Sequence, residues 1–440
     1  MLGCTSFSVA PSVRKKLRFV FQTTLIIAGV LALFFNRDRI LPSSTTFLSR
    51  FGHNQTEIIV AGRFHDHGAA LAIKLTFPAP PILTADVLST YLTSILDADS
   101  TVLPRLECPV PEMSRYEPLI PSSSSPTATT FFFALNLRQS LPILPRLLGT
   151  LLTTIRFLIP SNCALSIVEG NSADGTPEVL SSLIPALAAL GVPYHLVSSP
   201  IDPSQGDRIP RLAALRNLAL KPLLDKPERF SPENTTVIFL NDVAICPEDI
   251  LELIHQQVHL QADMTCAMDW TYAGKDPTFY DVWIARTING DSFFEIPPDG
   301  NWNSAWNLFW NEPETRSRYD QHQPFQVFSC WNGAAVFTAR PVLEGKVGFR
   351  GPREEECMQG EPQLFCKDLW ASGYGRIAVV PGVSLEYSDQ RGREIKALKG
   401  YTERWRVDVG IEWKEPPEKV RCMASYENQF WEAWNVSLPG

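Results

Sequence analysis

The sequence lacks any extended stripe of basic residues beyond its N-terminal region, and its formal net charge is −8. Nucleic-acid-binding domains normally carry such a stripe, so the sequence gives little support to a nucleic-acid partner, and we expect none. The chain also lacks internal repeats and repeated Cys-x-x-Cys spacings, and therefore gives no support to a structural zinc site. Long hydrophobic runs are absent too, with one exception near the N-terminus.

That exception is residues 17–35, LRFVFQTTLIIAGVLALFF, whose length is close to that needed to cross a hydrocarbon core of ~30 Å. Basic residues are more frequent before the run than after it, which favours a cytosolic tail over residues 1–16 and a lumenal remainder. A cleaved signal peptide is the alternative. However, the run exceeds the usual core of roughly 7–15 residues and ends without a small-residue cleavage pattern. We therefore expect a single-pass type II membrane protein in the Golgi or another secretory compartment.

The cysteines are compatible with an oxidising lumen. Cys4 precedes the predicted span, which leaves eight lumenal cysteines: Cys108, Cys163, Cys246, Cys266, Cys330, Cys357, Cys366 and Cys422. Disulfides are therefore allowed, but eight cysteines permit roughly a hundred pairings, and buried free thiols are an equal alternative. Asn-x-Ser/Thr acceptors for glycosylation occur at Asn54, Asn234 and Asn435.

The pattern along the chain predicts a lumenal stem over 36–84, a large domain over 85–390 and a Trp-rich extension over 391–440. Within the domain, strands alternate with helices. The predicted strands are 131–137, 164–168, 194–197, 236–240 and 264–268. The predicted helices are 85–96, 142–158, 176–191, 209–224 and 247–260, with a break at Pro185 and a capping hydroxyl on Thr176. This alternation predicts an α/β fold with a mostly parallel central sheet.

Oxygen-bearing side chains follow three of these strands. Asn241 and Asp242 come after the strand TVIFL, Asp269 follows MTCAM, and Glu169 closes ALSIV with Asp174 shortly beyond. Ligands bind at the carboxyl ends of such strands, and converging carboxylates would repel one another unless a cation or sugar hydroxyls satisfied them. A divalent cation held there, with diphosphate oxygens completing its coordination, would assist cleavage of a sugar–phosphate bond. Asn-Asp after a strand is also ordinary turn chemistry.

Two further groups of side chains suit the same ligand. Arg208, Arg211 and Arg216 lie on or near the 209–224 helix, where one guanidinium could hold phosphate, although solvated surface charges would look the same. Aromatic rings interspersed with amides and carboxylates hold sugars by stacking and hydrogen bonding, but such rings are also common in cores. The tryptophans in question are Trp283, Trp302, Trp306, Trp310 and Trp331.

Several ordered motifs closely resemble the fungal capsule-associated mannosyltransferase family, glycosyltransferase family 69, which is typified by the cryptococcal α-1,3-mannosyltransferase. The motifs are LAALRNLALKPL (212–223), FLNDVAICPEDILELI (239–254), ADMTCAMDW (262–270), FYDVWIAR (279–286) and PFQVFSCWNGAAVF (324–337). The similarity covers about 131–387, more than half of the chain.

The resemblance implies a type II Golgi-type enzyme with a GT-A-like nucleotide-binding fold. Such an enzyme transfers mannose from GDP-mannose to a mannoside, with a divalent metal that is usually Mn²⁺ in that family. By motif, Asp242 would hold the metal, and the donor-binding residues would be Glu169, Asp174, Arg216, Asn217, Asn241 and Asp242. The catalytic residues would come from Asp269, Glu356 and Asp368. The substrate cleft would include Asp281, Trp331, Asn332 and Gly333.

The chain departs from the family pattern at two places. It reads Glu169-Gly170-Asn171-Ser172 where the family usually has Glu-Ser-x-Ser, and Thr287 follows Arg286 where an Asp is common. Donor and acceptor preference therefore stay open, as does the choice between a covalent intermediate and a front-face route.

Three other functions compete with this interpretation. The nearest is a transferase with another nucleotide-sugar donor, and a second is a non-catalytic carbohydrate-binding membrane protein. A glycosidase would need two carboxylates at a fixed separation and would leave the Asn241-Asp242 pair unexplained.

Overall fold

The computed structural model describes residues 45–51, 55–63, 70–78, 82–121 and 129–438. The predicted membrane span 17–35 lies outside these residues. In the described part of the chain, no helix is both long enough and apolar enough to cross a membrane.

The chain divides into two compact units, residues 1–80 and 81–440. The first contains an antiparallel sheet of β1 (Thr45–Phe51), β2 (Gln55–Arg63) and β3 (Ala70–Pro78), in that order. This sheet falls within the segment predicted as a stem, for which the sequence indicated only turns and a polar linker. A spacer role for the segment stays a prediction.

The second unit carries the other elements. Its strands are β4 (Phe131–Leu137), β5 (Cys163–Glu169), β6 (Tyr194–Ser198), β7 (Thr236–Leu240), β8 (Met264–Tyr272), β9 (Pro277–Phe279), β10 (Arg286–Thr287), β11 (Phe325–Ser329), β12 (Ala334–Thr338), β13 (Ile377–Leu385), β14 (Lys419–Met423) and β15 (Gln429–Ala433). Its helices are α1 (Ala85–Leu96), α2 (Met113–Tyr116), α3 (Leu144–Phe157), α4 (Thr176–Ser182), α5 (Ile184–Ala189), α6 (Arg208–Asp225), α7 (Pro247–His259), α8 (Pro313–Asp320), α9 (Arg340–Leu343), α10 (Glu361–Ala371) and α11 (Asp389–Lys399).

The central sheet of this unit has the strand order β10-β11-β13-β8-β12-β7-β4-β5-β6, and β9 pairs with β8 outside that path. Strand β4 runs parallel to β5 and β7, β5 runs parallel to β6, and β13 runs parallel to β8. Strand β12 lies antiparallel between β7 and β8. Strands β4, β5, β7 and β8 therefore end at one edge of the sheet, where β12 begins. The predicted α/β fold with a mostly parallel sheet is confirmed.

Both faces of the sheet are buried. Along β4, Phe131 and Phe133 belong to one hydrophobic cluster and Phe132 belongs to the other. Helices α3 and α7 contribute to the first cluster, and helices α6 and α10 contribute to the second. This two-sided burial explains why the sequence of β4 is an uninterrupted apolar run rather than an alternation of polar and apolar residues.

Two local details refine the sequence prediction. The predicted break at Pro185 is confirmed, because α4 ends at Ser182 and α5 begins at Ile184. The prediction of a capping hydroxyl on Thr176 was wrong, because Gly175 occupies the N-cap position with φ +99° and Thr176 is the first helical residue. The Thr176 hydroxyl instead accepts a hydrogen bond from the Ser140 backbone N–H at 3.1 Å, and so ties the start of α4 to the segment after β4.

Three disulfides join distant parts of the chain: Cys108–Cys246, Cys266–Cys330 and Cys357–Cys422. Of the cysteines that the structure describes, Cys163 and Cys366 are buried free thiols. Both alternatives raised by the sequence therefore occur in the same molecule.

Candidate active site

The candidate site lies at the edge where the parallel strands end. Asn241 follows β7 directly, and its backbone N–H donates to the Gly333 carbonyl at 2.9 Å. Because β12 is antiparallel to β7, the Trp331-Asn332-Gly333 segment that precedes it meets β7 at this edge. Residues from two distant motifs are thereby brought together.

Asp269 is the central carboxylate of this edge. Strand β8 continues to Tyr272, so the predicted strand end at Met268 was wrong and Asp269 lies inside the strand, with 0% of its surface exposed. Its Oδ2 accepts a hydrogen bond from the Tyr387 hydroxyl at 2.6 Å. Its Oδ1 is buried and has no hydrogen-bond partner among the described residues. A buried oxygen of this kind is costly to leave unsatisfied, so it points to a ligand.

Asp281 lies beside Asp269, because the β8–β9 hairpin brings the residues after β9 back along β8. The Tyr280 N–H donates to the Asp269 carbonyl at 3.1 Å, and the Asn332 N–H donates to Asp281 Oδ2 at 3.0 Å. Burial raises the pKa of Asp281 to about 6. Burial, followed by the charge of Asp281, raises the pKa of Asp269 well above its usual value. We call Asp269 and Asp281 the acidic pair.

Asp242 is half-buried next to this pair. Burial raises the pKa of its carboxyl, and the positive charge of Arg216 acts in the opposite direction. The charges of Asp269, Asp281 and Asp242 all raise the pKa of Tyr280, after the larger effect of burial. The three carboxylates therefore share one electrostatic environment at the sheet edge.

Trp331 is only 1% exposed, so the structure does not support the prediction that its ring lines the substrate cleft. Its indole N–H donates to Asn241 Oδ1 at 3.1 Å, and the Arg216 guanidinium lies 4.5 Å from its ring centroid. Arg216 Nε also donates to Glu361 Oε1 at 2.8 Å. This stack of Arg216, Trp331 and Asn241 holds the end of β7 in place from beneath the edge.

Asn332 and Gly333 shape the wall of the site beside the acidic pair. Both have positive φ angles, +53° and +82°. A Cβ at Gly333 would lie 3.1 Å from Val243 and 3.5 Å from the Asp269 Cβ, so glycine lets the backbone approach both. The Asn332 side chain donates to the Ala267 carbonyl at 2.8 Å and is itself fully buried.

Three predicted donor-binding residues form hydrogen bonds to neighbouring segments of the chain, mostly to backbone groups. Glu169 accepts from the Ser172 N–H at 2.7 Å and from the Ser198 hydroxyl at 3.1 Å. Asp174 accepts from the backbone N–H groups of Leu141 at 2.9 Å and Thr176 at 3.0 Å. Asn217 bonds both the N–H and the carbonyl of Phe349, at 3.0 and 2.7 Å. These contacts give all three a structural role, and direct contact with a donor stays a prediction.

Glu356 and Asp368 belong to a separate group, which we call the Arg350 network and define as Arg350, Glu356, Lys367 and Asp368. Arg350 donates to Asp368 at 2.7 and 2.8 Å and also bonds Glu356, while Lys367 donates to Glu356 at 2.6 Å. Burial opposes the charge of Glu356, but the hydrogen bonds from Arg350 and Lys367 outweigh it and lower its pKa to about 2. Among the described residues, no hydrogen bond or ion pair joins this network to the acidic pair.

Sequence reasoning missed Tyr387, Tyr280 and Glu361. Tyr387 comes two residues after β13 and bonds Asp269, and Tyr280 packs edge-on against its ring at 5.1 Å. Tyr387 could have been found from its position after a strand, because β13 runs parallel to β8 and both strands end at the same edge. The sequence analysis did not identify β13 as a strand, so Tyr387 was not considered.

The residues at the sheet edge support the predicted divalent-cation site only in part. In the described ranges, no group of three or more His, Cys, Asp and Glu side chains is placed to hold a metal ion. Asp242 is the one carboxylate at the predicted position. A single carboxylate suits a cation that takes most of its other ligands from a bound diphosphate, since cations of this kind are often held by one or two carboxylates plus substrate phosphates.

Residues 130–368 match the protein family described as cryptococcal mannosyltransferase 1. The alpha-1,3-mannosyltransferase CMT1 of Cryptococcus neoformans is 35% identical over 381 residues, covering 79% of this chain and 80% of that protein. Among solved structures, S. aureus TarS 1-349 is 14% identical with a TM-score of 0.34, covering 62% of this chain and 64% of that one.

The mannosyltransferase PcManGT from Pyrobaculum calidifontis, in complex with GDP-Man and Mn²⁺, is 12% identical with a TM-score of 0.35, and 71% of each chain is covered. The family match and the 35% identity confirm the resemblance that the motifs indicated. The chain therefore belongs to the cryptococcal mannosyltransferase 1 family and is a glycosyltransferase.

Proposed function

We propose that this chain transfers mannose from GDP-mannose to a mannoside acceptor and forms an α-1,3 linkage, with a divalent cation, Mn²⁺, as cofactor. The family match and the activity in the name of its 35% identical relative support the donor sugar and the linkage. The observation that carries the chemistry is the buried Oδ1 of Asp269 beside Asp281, which has no hydrogen-bond partner in the described ranges, at the edge where Asp242 follows β7.

The position of each residue at the sheet edge determines its proposed role. Asp242 would hold the cation together with the donor diphosphate, and the cation would stabilise the charge on the departing GDP. Arg216 adds positive charge on the same side, since its guanidinium already acts on Asp242. The diphosphate end of the donor is thereby assigned to the end of β7 and the mannosyl end to β8.

The acceptor hydroxyl must lose a proton as the new glycosidic bond forms. Asp269 is suited to take it, because a carboxylate is a stronger base when its pKa is raised, and burial and the charge of Asp281 both raise the pKa of Asp269. Tyr387 donates to Oδ2, which leaves Oδ1 for the substrate. We assign Asp269 the role of proton acceptor or of stabiliser of charge at the reacting carbon.

We further propose a single-pass type II topology, with this activity in a Golgi-type lumen and with manganese supplied there. Residues 17–35 supply the anchor in this proposal. The three disulfides support an oxidising compartment, because disulfides persist in secretory compartments and are rare in the cytosol.

The test is a product assay with the full-length protein in detergent. A panel of nucleotide sugars is offered with methyl α-mannoside and short mannosides, with and without Mn²⁺, and the products are identified by mass spectrometry and linkage analysis. We expect transfer from GDP-mannose alone and its loss after chelation. Asp242→Ala should lower activity by about 100-fold or more, whereas Asp99→Ala, a change at an exposed aspartate in the loop after α1, should not. Turnover of another donor, or full activity of Asp242→Ala, would refute the proposal.

A further inference from the structure

A solvent-open cavity of about 400 Å³ lies beyond the end of β8 and has no role in the chemistry described above. It is lined by Thr271, Ala273, Gly300, Trp302 and Asn303. This volume lies in the range of small-molecule sites, roughly 300–1,000 Å³. None of the lining side chains carries a charge, so the cavity suits a neutral, hydroxyl-rich ligand better than a nucleotide or an ion.

The cavity is connected to the acidic pair through β8. Side chains two residues apart on a strand project from the same face, so Thr271 lies on the Asp269 face of the strand. The rise per residue places the Thr271 Cα roughly 7 Å from that of Asp269. A chain-like ligand that reaches Asp269 with one end can therefore occupy the cavity with its next units.

The wall opposite β8 is held rigidly. Trp302 packs edge-on against the buried Phe294 with ring centroids 5.5 Å apart. Gly300 has a φ of +70°, and a Cβ there would lie 2.5 Å from the Tyr426 ring, so only glycine allows this approach. Tyr426 in turn packs on Trp283 at 4.7 Å. The C-terminal β14–β15 hairpin thus contributes to the shape of the cavity through the Tyr426 ring.

The cavity lining, together with exposed tryptophans of nearby segments of the chain, has the composition of a sugar-binding surface. Trp306, in the same loop as Trp302, is 78% exposed, and Trp283 is 39% exposed. Asn303 is exposed, and its side chain makes no hydrogen bond to any other described residue. The lining itself thus contains an indole ring, Trp302, that can cover the C–H face of a sugar and an amide, Asn303, that can bond its hydroxyls.

We propose that this cavity is an acceptor subsite, which binds the neutral hexose units next to the sugar that reacts at Asp269. The proposal rests on the glycosyl-transfer function proposed above and extends it, because it specifies an oligosaccharide rather than a monosaccharide as the preferred acceptor.

The test compares methyl α-mannoside with a linear mannotriose as acceptors for the full-length enzyme at saturating GDP-mannose. Ala273→Leu fills the cavity from an exposed position that tolerates a larger side chain, and Asn303→Ala removes the amide. We expect each change to raise the ratio of the mannotriose KM to the monosaccharide KM, by about tenfold for Ala273→Leu and about threefold for Asn303→Ala. The effect should fall on KM and not on kcat, since the reacting groups are untouched.

Ala188→Leu is the matched control, because it adds the same side chain at an exposed alanine on α5. It should leave the KM ratio at the wild-type value. Equal KM changes for both acceptors, or an unchanged ratio in Ala273→Leu, would overturn the subsite.

Failure of the proposed function would look different, because the wild-type enzyme would then transfer from GDP-mannose to neither acceptor. In that case, calorimetric titration with mannotriose still tests whether the cavity binds hexose units. If Ala273→Leu binds mannotriose more weakly than wild type and Ala188→Leu do, the subsite is supported. If all three proteins bind it equally, or wild type does not bind it, the subsite is refuted.

Discussion

The acidic pair and the Arg350 network are both groups of buried carboxylates from family motifs, yet their surroundings differ. In the Arg350 network, each carboxylate meets at least one cation, and the pKa of Glu356 falls to about 2. In the acidic pair, no cation bonds either carboxylate directly among the described residues, and burial raises both pKa values. Removing one partner of a buried charge pair destabilises a fold, whereas unpaired buried charges themselves cost stability and are found where function requires them.

This difference changes the interpretation of the three catalytic candidates. Asp269 retains the features expected of a reacting group, namely an unsatisfied oxygen and a raised pKa. The arrangement around Glu356 and Asp368 favours a structural role, because their oxygens are occupied by Arg350 and Lys367. Variants of Asp269 should therefore lose activity without losing stability, whereas variants of the Arg350 network should lose stability with little change in activity.

The largest effect should come from Asp269→Asn. The amide keeps the shape of the side chain but cannot accept a proton or carry negative charge, so we expect kcat to fall about 1,000-fold. Stability should be unchanged or higher, because a carboxyl whose folded-state pKa is raised costs stability as the pH rises above its ordinary unfolded-state value of 3.8, and an amide removes this cost. Initial rates and thermal melting of the same preparation measure both quantities.

The matched control is Asp263→Asn, a buried aspartate next to the opposite end of β8 whose pKa is also raised by burial. Its carboxylate accepts a hydrogen bond from the Arg376 N–H and lies away from the sheet edge with the acidic pair. This variant should retain kcat within a few-fold. A similar loss of kcat in both variants would show that the Asp269 effect is not chemical.

Glu356→Gln should give the reverse of the Asp269→Asn result, with lower stability and nearly unchanged activity. Because the folded-state pKa of about 2 lies below the ordinary 4.5, the ionised form contributes stability above pH 4.5, and this contribution is lost as the pH falls toward 2. We expect a loss on the order of 2 kcal/mol at neutral pH once solvent screening is allowed for, and a flatter stability curve between pH 4.5 and 2. Chemical denaturation across this range measures it. Activity per folded molecule should stay close to wild type, and a kcat loss matching that of Asp269→Asn would restore Glu356 as a catalytic residue.

Tyr387→Phe should lower the rate much less than Asp269→Asn does, and it should have the clearest effect on pH dependence. The Tyr387 hydroxyl favours the ionised form of Asp269, so its removal raises the pKa of Asp269 further and leaves less carboxylate at neutral pH. We expect about tenfold lower activity at neutral pH, with the acid limb of the kcat/KM profile moved to higher pH. A uniform loss at every pH would indicate that Tyr387 only supports the fold.

Much of the fold followed from periodicity, and the exceptions have identifiable causes. Strand β7 was predicted with correct bounds because TVIFL is apolar throughout and lies between turn residues. The end of β8 was placed too early because a carboxylate normally ends an apolar strand, and only the surrounding tertiary structure buries Asp269 inside one. The pairing of the cysteines depends on contacts between distant segments, which local patterns do not contain.

The candidate site was predictable where a motif coincides with a strand end. Asn241, Asp242, Asp269, Asp281 and the 331–333 segment do meet at one edge of the sheet. Sequence could not distinguish a ring that binds ligand from one that supports the site, so Trp331 was placed in the cleft although it is buried. Nor could sequence show that Glu169, Asp174 and Asn217 make hydrogen bonds to backbone groups, and Glu169 also to the Ser198 hydroxyl.

The Cys266–Cys330 disulfide connects the strand that carries Asp269 to the segment whose Asn332 bonds Asp281. Closing a loop with a sequence separation of 64 residues contributes about 4 kcal/mol in chain-entropy terms. Material produced in a reducing bacterial cytoplasm would lack this crosslink at the place where the two carboxylates are aligned. We therefore expect reduction of this disulfide to lower activity as well as stability, and a secretory expression host to yield more active enzyme than a reducing one.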